Sequence, residues 1–463
     1  MSQTDFSSLK LSPSLLKNLA SLEYQRMTPI QAQSLPPILD GKDVIAQGKT
    51  GSGKTAAFSL GLLERLDVKR FCIQSLVLCP TRELADQVAK EIRKLARTIH
   101  NIKVLTLCGG MPLGPQAGSL EHGAHIIVGT PGRVQDHLGK GTLKLDNVNM
   151  LVLDEADRML DMGFQDTLDA IIEHTPTQRQ TLLFSATFPD QIGSIAKRVM
   201  IEPVMVQVAA SHDRSSIQQH FYQVSDDAQR MTALRLLLLH YRPESAVVFC
   251  NTKRETQDVA DELGSHGFSV LALHGDLEQR DRDQTLVRFA NKSASVLVAT
   301  DVAARGLDID GLDAVINYHF ARETDVHIHR IGRTGRAGNT GIACTLYSDK
   351  EAYRVARLEE HLDQEIAPQP LPPFSLLDEA VYQASMATLQ IDGGKKQKVR
   401  PGDILGALTG KNGIAGNQVG KIHIFDNRAY VAVSNDAVKL ALKKLDAGKL
   451  KGRSFRVRYV GGV

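Results

Sequence analysis

Positions 48 to 55 read Gly48-Lys49-Thr50-Gly51-Ser52-Gly53-Lys54-Thr55. A glycine, four further residues and then Gly-Lys-Thr is the pattern of a phosphate-binding loop. Its glycines let backbone N–H groups curl around phosphate oxygens, and a helix starting just after favours negative charge. Lys54 can reach the outer phosphates, and Thr55 offers a hydroxyl to Mg²⁺. A glycine-rich turn can match this pattern by chance. The strand-like DVIAQ before the loop and the apolar, helix-patterned stretch after it argue against that. A second cluster, Asp154-Glu155-Ala156-Asp157, follows the apolar run Met150 to Leu153. Acids at a strand end can hold Mg²⁺ through water and orient an attacking water. Taken alone they are often only a helix cap, but paired with the phosphate loop they point to nucleotide hydrolysis. A third cluster places Arg330, Arg333 and Arg336 in HRIGRTGR. Arginines three apart share a helical face, by default a solvated one. Because this half of the chain has no phosphate loop of its own, these arginines suit a triphosphate bound elsewhere. The nearby His319, His327 and His329 lack a neighbouring Cys or acid that would complete a metal set, and read as packing or relay residues.

Such groups need sheets to place them. At 463 residues the chain is long enough for roughly three domains. Its 42% apolar and 23% charged residues are the balance of a soluble globular protein. No apolar stretch is long enough to span a membrane, and MSQTDFSSLK lacks the pattern of a signal peptide. Five scattered cysteines without a CxxC pair suggest neither a disulfide framework nor a zinc knuckle. The expectation is a cytoplasmic protein.

The runs DVIAQ, SLVLCPT, HIIVGT, MLVLDE and TLLFSAT alternate with amphipathic stretches such as Glu83 to Ala96. After the polar stretch Ala209 to Ser216, AVVFCNT, VLALHG, VLVATD, VINYH and IACTLYS repeat the habit. Continuous apolar strands separated by helices predict parallel sheets covered on both faces. Pro368 to Pro373 holds four prolines and reads as an extended connector, followed by a helix over about 375–389 and a loosening Gly393-Gly394. From Lys395 to Val463 there are 15 basic and 4 acidic residues, a net +11. The remaining 40 basic and 48 acidic residues leave the rest at −8. So basic a module suits a polyanionic partner. Its patterning gives the order β-α-β-β-α-β: KKQKVR, a helix from about Pro401, GKIHIF, RAYVAV, a helix from about Asp436, and SFRVRYV.

In combination these motifs resemble those of the DEAD-box RNA helicases. The chain carries, in order, Phe6 upstream of TPIQ, AQGKTGSGKT, PTRELA, Gly109-Gly110, TPGR, DEAD, SAT, VVFCNT, Gln279 with Arg282, ATDVAARGLD and HRIGRTGR. The likeness runs to about residue 365, and the basic segment further resembles the RNA-recognition module of the bacterial DbpA group. It implies two tandem RecA-like α/β domains, over 1–208 and 217–366. A linker over 367–394 and an α+β RNA-recognition-motif-like domain over 395–463 would follow. Met27 departs from the proline usual before the threonine of the adenine motif.

The resemblance also implies roles. Gln31 and Phe6 would select adenine, so ATP would be the fuel. Gly48, Lys49, Thr50, Gly51, Ser52, Gly53, Lys54 and Thr55 would cradle the phosphates, with Thr55 and Asp154 on Mg²⁺ and Glu155 on the water. Ser185 and Thr187 would couple hydrolysis to domain closure, Asp308 would contact the ribose, and Arg333 and Arg336 would be arginine fingers. RNA would meet Thr81, Arg82, Gly110, Thr130 and Arg133 in the first domain, and Gln279, Arg282 and Thr300 in the second. In the basic module Lys395, Lys396, Arg428, Tyr430, Arg453, Arg456 and Arg458 are the candidates. Tyr430 keeps one stacking ring, while Arg428 stands where another is usual. The implied partner is a hairpin of 23S ribosomal RNA during assembly of the large subunit. A general messenger-RNA helicase and a nucleotide-switched RNA clamp are the competing readings, and the intact Glu155 and finger arginines argue against the clamp.

Overall fold

The computed structural model describes residues 4–48, 51–188, 190–208, 217–304, 311–335 and 340–461. Lys49, Thr50, Asp308 and Arg336 therefore lie outside the described residues, as does the stretch 209–216. The chain forms two compact units, the first reaching past residue 208 and the second holding the strands from residue 217 on.

In the first unit seven strands lie side by side: β1 (Val44–Gln47), β2 (Ser75–Leu78), β3 (Val104–Leu107), β4 (Ile126–Gly129), β5 (Met150–Asp154), β6 (Gln180–Ser185) and β7 (Val204–Gln207). Their order is β3-β4-β2-β5-β6-β1-β7 and every pairing is parallel. Successive side chains of one strand feed opposite cores. Val77, Val128 and Val152 join one helix layer, and Leu76, Ile127 and Leu151 the other. That two-sided burial is why these strands are unbroken apolar runs.

The second unit repeats the plan with β8 (Ile217–Gln223), β9 (Ala246–Cys250), β10 (Val270–Leu273), β11 (Val296–Thr300), β12 (Ala314–Asn317) and β13 (Gly341–Tyr347), in the parallel order β10-β11-β9-β12-β13-β8. The same unit continues into an antiparallel sheet of β14 (Met386–Ile391), β15 (Val419–Ile424), β16 (Ala429–Ser434) and β17 (Val457–Val460), ordered β15-β16-β14-β17. Helices Pro401–Thr409 and Val438–Ala447 pack on one face of it around Ile404, Leu408, Ala441 and Leu445.

Two expectations fail at the start of this last sheet. KKQKVR is not its first strand. Lys395–Gln397 is a single 3-10 turn and Lys398 takes a positive φ of 62°, a bend no strand accommodates. The first strand is Met386–Ile391, which overlaps the end of the stretch expected to be helical, and it is central, paired with both β16 and β17. Two ladders outweigh the local helical spacing. The connector is also no free linker, because Leu371, Leu376, Leu377, Val381 and Tyr382 pack against the second domain's core.

Candidate active site

The ATP-motif residues gather at the carboxyl ends of three adjacent strands, β1, β6 and β5. The phosphate loop leaves β1, where the Gly48 amide donates to the Ser185 carbonyl at 3.0 Å and ties the loop to the end of β6. Gly51 and Gly53 have φ of 79° and 95°, the left-handed region that favours glycine. A Cβ at Gly53 would come within 2.5 Å of the Gln31 amide nitrogen. That amide grips the loop: Gln31 Nε2 donates to the Gly53 carbonyl at 3.1 Å, and its Oε1 accepts the Thr28 amide at 2.9 Å. Thr28 Oγ1 donates to the Ser52 carbonyl at 2.7 Å. The adenine-motif glutamine is thus built into the wall of the phosphate loop. Phe6 packs in the core and meets Tyr24 edge-on.

Lys54 opens the helix Lys54–Arg65, is buried, and donates from Nζ to the Gly48 carbonyl at 2.6 Å. Burial lowers its pKa, against the pull of Asp154, Glu155 and Asp157. Asp154, closing β5, is raised to about 7 by burial and by the charge of Glu155, with Lys54 opposing. Glu155 itself has a φ of 51°, left-handed for a non-glycine residue. Such a conformation persists only where its surroundings hold it, and Arg158 does so, placing Nη1 2.9 Å from Glu155 Oε2 with both side chains 7% exposed. Asp157 accepts from the Thr187 amide and hydroxyl, each at 2.9 Å, and from the Ala186 amide at 3.2 Å. Burial would raise its pKa, but the Thr187 bonds prevail and lower it. Ser185 Oγ donates to the Thr187 carbonyl at 2.6 Å. The SAT turn is therefore latched to the DEAD turn.

These residues fit a magnesium–nucleotide complex. The Ser52 hydroxyl is buried with no hydrogen-bond partner among the described residues, a buried ammonium faces three carboxylates, and the glycine backbone is shaped as phosphate oxygens require.

The other half of the sheet edge, at β2, β4 and β3, collects the first domain's RNA-motif residues. Thr81 caps the helix Arg82–Leu95 by accepting the Leu84 amide at 3.3 Å. Thr130 stands at the N-cap position of the helix Pro131–Gly139, whose Arg133 donates to the Met111 carbonyl at 2.9 Å. Gly110 lies so close to the Arg82 guanidinium that a side chain there would collide with it. All five residues share one edge of the sheet.

In the second domain Gln279 opens the helix Gln279–Ala290, with Arg282 one turn on and Thr300 closing β11. Arg330 does not stand with Arg333 as a second cation for a triphosphate. It turns inward, donating to both Asp301 carboxylate oxygens at 2.6 and 2.7 Å, to the His319 carbonyl at 2.9 Å and to Asn317 at 3.2 Å. Arg333 follows, its carbonyl accepting the Leu312 amide at 3.2 Å. His319 bridges Glu255 and Glu351. His327 stacks on Phe320 with ring centroids 4.9 Å apart and has, among the described residues, no hydrogen-bond partner on either nitrogen.

Three segments match family descriptions: residues 28–195 DEAD/DEAH box helicase, 229–338 helicase conserved C-terminal domain, and 388–459 DbpA RNA binding domain. The chain is 55% identical over 458 residues to the ATP-dependent RNA helicase DbpA of Escherichia coli, covering 99% of this chain and 100% of that protein. It belongs to the DEAD-box ATP-dependent RNA helicases. The DEAD-box ATP-dependent RNA helicase CshA of Geobacillus kaustophilus is 44% identical over 357 residues, 77% of this chain and 76% of that one. Saccharomyces cerevisiae Dbp5 bound to RNA and ADP BeF3 superposes with a TM-score of 0.70 at 31% identity, over 79% of this chain and 96% of that one. The helicase motifs thus sit on two RecA-like domains, and a small third domain follows them in the chain. Among the described residues no helix is long and apolar enough to cross a membrane.

In the helicase's third domain the basic residues crowd one end of the sheet. Lys395 and Lys396 donate backbone amides to the Phe425 and Asp426 carbonyls at 2.9 Å, and the Asp392 amide donates to the Arg456 carbonyl at 3.0 Å. These bonds join three turns into one rim carrying Lys395, Lys396, Arg453 and Arg456, all exposed, and the half-buried Arg428. Tyr430 corrects an expectation. It is 2% exposed, enclosed by Val287 and Val460, and offers no ring to a base. Two residues to which the motifs assigned no role hold others in place, Arg158 on Glu155 in the first domain and Asp301 on Arg330 in the second. Their signal is weak in sequence: an acid three residues before an arginine on a helix, and an acid just after a strand.

Proposed function

We propose that this helicase is directed by its third domain to 23S ribosomal RNA during assembly of the large ribosomal subunit, in the cytoplasm, and there separates short duplexes. The observation that carries the reading is the continuous cationic rim on a domain of the DbpA RNA-binding family. Thr55 and Asp154 would hold Mg²⁺, which supplies charge neutralisation to the transferring phosphoryl group. Lys54 and the loop amides bind and orient the phosphates. Glu155, held by Arg158, receives the proton of the attacking water. Arg333 and Arg336 act as fingers and Asp308 on the ribose. Thr81, Arg82, Gly110, Thr130, Arg133, Gln279, Arg282 and Thr300 hold the RNA backbone, and Lys395, Lys396, Arg428, Arg453, Arg456 and Arg458 attract the ribosomal RNA. Backbone contacts position a strand without reading its sequence, so preference must come from the third domain. The test is ATPase activity with 23S ribosomal RNA fragments against unrelated RNA of equal length. Equal stimulation by both would overturn the ribosomal assignment and leave a general RNA helicase.

A further inference from the structure

In the second RecA-like domain the ring of His319 lies between two acids contributed by different elements. Its Nε2 donates to Glu255 Oε1 at 2.5 Å, and its Nδ1 stands 3.7 Å from Glu351 Oε1. Glu255 is in the first turn of the helix Lys253–Ser265, just beyond β9, and Glu351 ends the 3-10 turn Asp349–Glu351, just beyond β13. His319 itself follows β12, so one imidazole joins the carboxyl ends of three neighbouring strands, β9, β12 and β13. The far side of Glu351 is held by the buried Arg230, whose Nη2 donates to Oε2 at 2.8 Å while Nη1 donates to the Tyr318 carbonyl at 2.5 Å. Three further charges are bound into the cluster. Arg354 stands 3.7 Å from Glu351, Asp227 lies 3.8 Å from Arg230, and Arg330 pairs with Asp301 behind the His319 carbonyl. Tyr318, edge-on to the ring at 5.2 Å, and Cys250 at the end of β9 are raised by burial and stay neutral. Glu255, Glu351, Asp227 and Asp301 thus face Arg230, Arg354 and Arg330, four carboxylates against three guanidiniums. A proton on His319 supplies the fourth cation, and half-buried charges need that pairing.

The same cluster holds the seat of Arg330. Glu255 Oε2 accepts the Asn251 amide at 3.1 Å, and Asn251 Oδ1 accepts from Arg330 at 3.3 Å. The His319 carbonyl accepts from Arg330 at 2.9 Å while its ring grips Glu255. The two residues that receive Arg330 from the ends of β9 and β12 are therefore fixed to each other through one carboxylate. Arg330 lies on the helix Thr324–Ile331, one turn before Arg333. The electrostatics agree with the geometry. Burial would lower the His319 pKa, but the Glu255 and Glu351 carboxylates prevail and raise it from its ordinary 6.5. Burial would likewise raise both acids, but His319 leads the partners that lower them, Glu351 to about 2.

We propose that His319, as an imidazolium, is a positioning residue for ATP hydrolysis, locking the ends of β9, β12 and β13 into one seat for Arg330 and so fixing the segment that carries Arg333. Its effect on turnover rests on the reading of Arg333 as an arginine finger, and the tests separate the two. A histidine raised by its partners is charged below its folded pKa, so the lock is closed at low and neutral pH and opens as pH rises. In the full chain, ATPase at saturating ATP and total cellular RNA should fall about tenfold along an alkaline limb, with the KM for ATP moving no more than about threefold. The midpoint of that limb should lie above 6.5. His319→Gln keeps a donor but cannot charge, and should turn over at the low alkaline level at every pH, without the limb. His319→Lys, charged up to about pH 10.4, should exceed the glutamine variant and hold its rate where the wild type declines. Glu255→Gln removes one carboxylate and should move the limb about one pH unit lower. A wild-type rate in His319→Gln at pH 7, a limb that persists in it, or a limb that Glu255→Gln leaves in place would each overturn the lock. Histidine ring-carbon NMR of the wild-type chain gives a measure free of any His319 variant. The resonance that Glu255→Gln shifts should titrate above 6.5, and a midpoint at or below 6.5 would overturn the lock as well. If Arg333→Ala hydrolysed ATP at the wild-type rate, the finger reading would fail, while the limb and the ring titration still decided the lock.

Discussion

Glu155 is the residue proposed to receive the proton of the attacking water, and Arg158 pairs with it where its backbone takes a conformation that L side chains rarely adopt. Removing one partner of a buried pair leaves the other charged and alone, at a cost of about 3–5 kcal/mol. Arg158→Met should therefore lower turnover about tenfold or more while moving the KM for ATP by no more than about threefold. Arg158→Lys should recover part of the loss. Steady-state ATPase at saturating RNA checks this, and a change confined to KM would show that Arg158 serves binding. His327 is the opposite case, a buried group without a hydrogen-bond partner among the described residues. Burial pushes its pKa down from 6.5 to about 3, with Arg330 adding repulsion. The unfolded chain takes up a proton that the folded one refuses, so stability is full above about pH 6.5 and is lost as pH falls. By pH 5 that loss is about 2 kcal/mol. His327→Phe keeps the stack on Phe320 and removes the slope. Thermal unfolding between pH 8 and 5 should show the variant losing less than the wild type, and parallel curves would refute the account.

At the scale of elements, the DEAD turn after β5 and the SAT turn after β6 share the Asp157 carboxylate. Asp157→Ala leaves two half-buried amides and a hydroxyl without that acceptor, at up to about 1 kcal/mol for each. Duplex unwinding should fall more than ATPase, and an equal fall in both would detach the latch from coupling. What could be read from sequence follows the same geometry. Central strands such as MLVLDE and VLVATD are legible because both their faces are buried. The strands not foreseen, β3, β7 and β8, are all at sheet edges, where solvent admits residues such as Thr106, Gln207 and the pair Gln218-Gln219 into the run. β14 was hidden differently. Its identity as a strand comes from β16 and β17, about forty and seventy residues further on, and no local spacing carries that. The phosphate loop, the DEAD acids and the RNA-motif glycine were legible as motifs because each needs a particular residue for a particular contact. Arg158, the inward turn of Arg330 and the burial of Tyr430 depend on neighbours brought by the fold.

For the whole molecule the dominant fact is the charge division, net +11 on the last 69 residues against −8 elsewhere. Replacing Lys395, Lys396, Arg453 and Arg456 by Ala together should weaken binding to every RNA. It should also flatten the dependence of log Kd on log salt by about 0.7 for each phosphate contact removed, near 3 in total. Fluorescence anisotropy across a salt series reads both, and an unchanged slope would place the RNA on another face of the third domain.

The central place of β14 in its sheet has a consequence in time. Translation delivers this strand first, but β16 and β17 arrive some forty to seventy residues later. At roughly 5–20 residues per second the wait is on the order of several seconds. Throughout it, β14 has both edges open, and the patch around Val287 on an already folded neighbour lies bare. The second RecA-like domain is thus born with an unhealed surface that closes only when β16 and β17 arrive. A chain halted in that interval would carry two unpaired strand edges beside a bare apolar patch, the features that make a folding intermediate prone to aggregate.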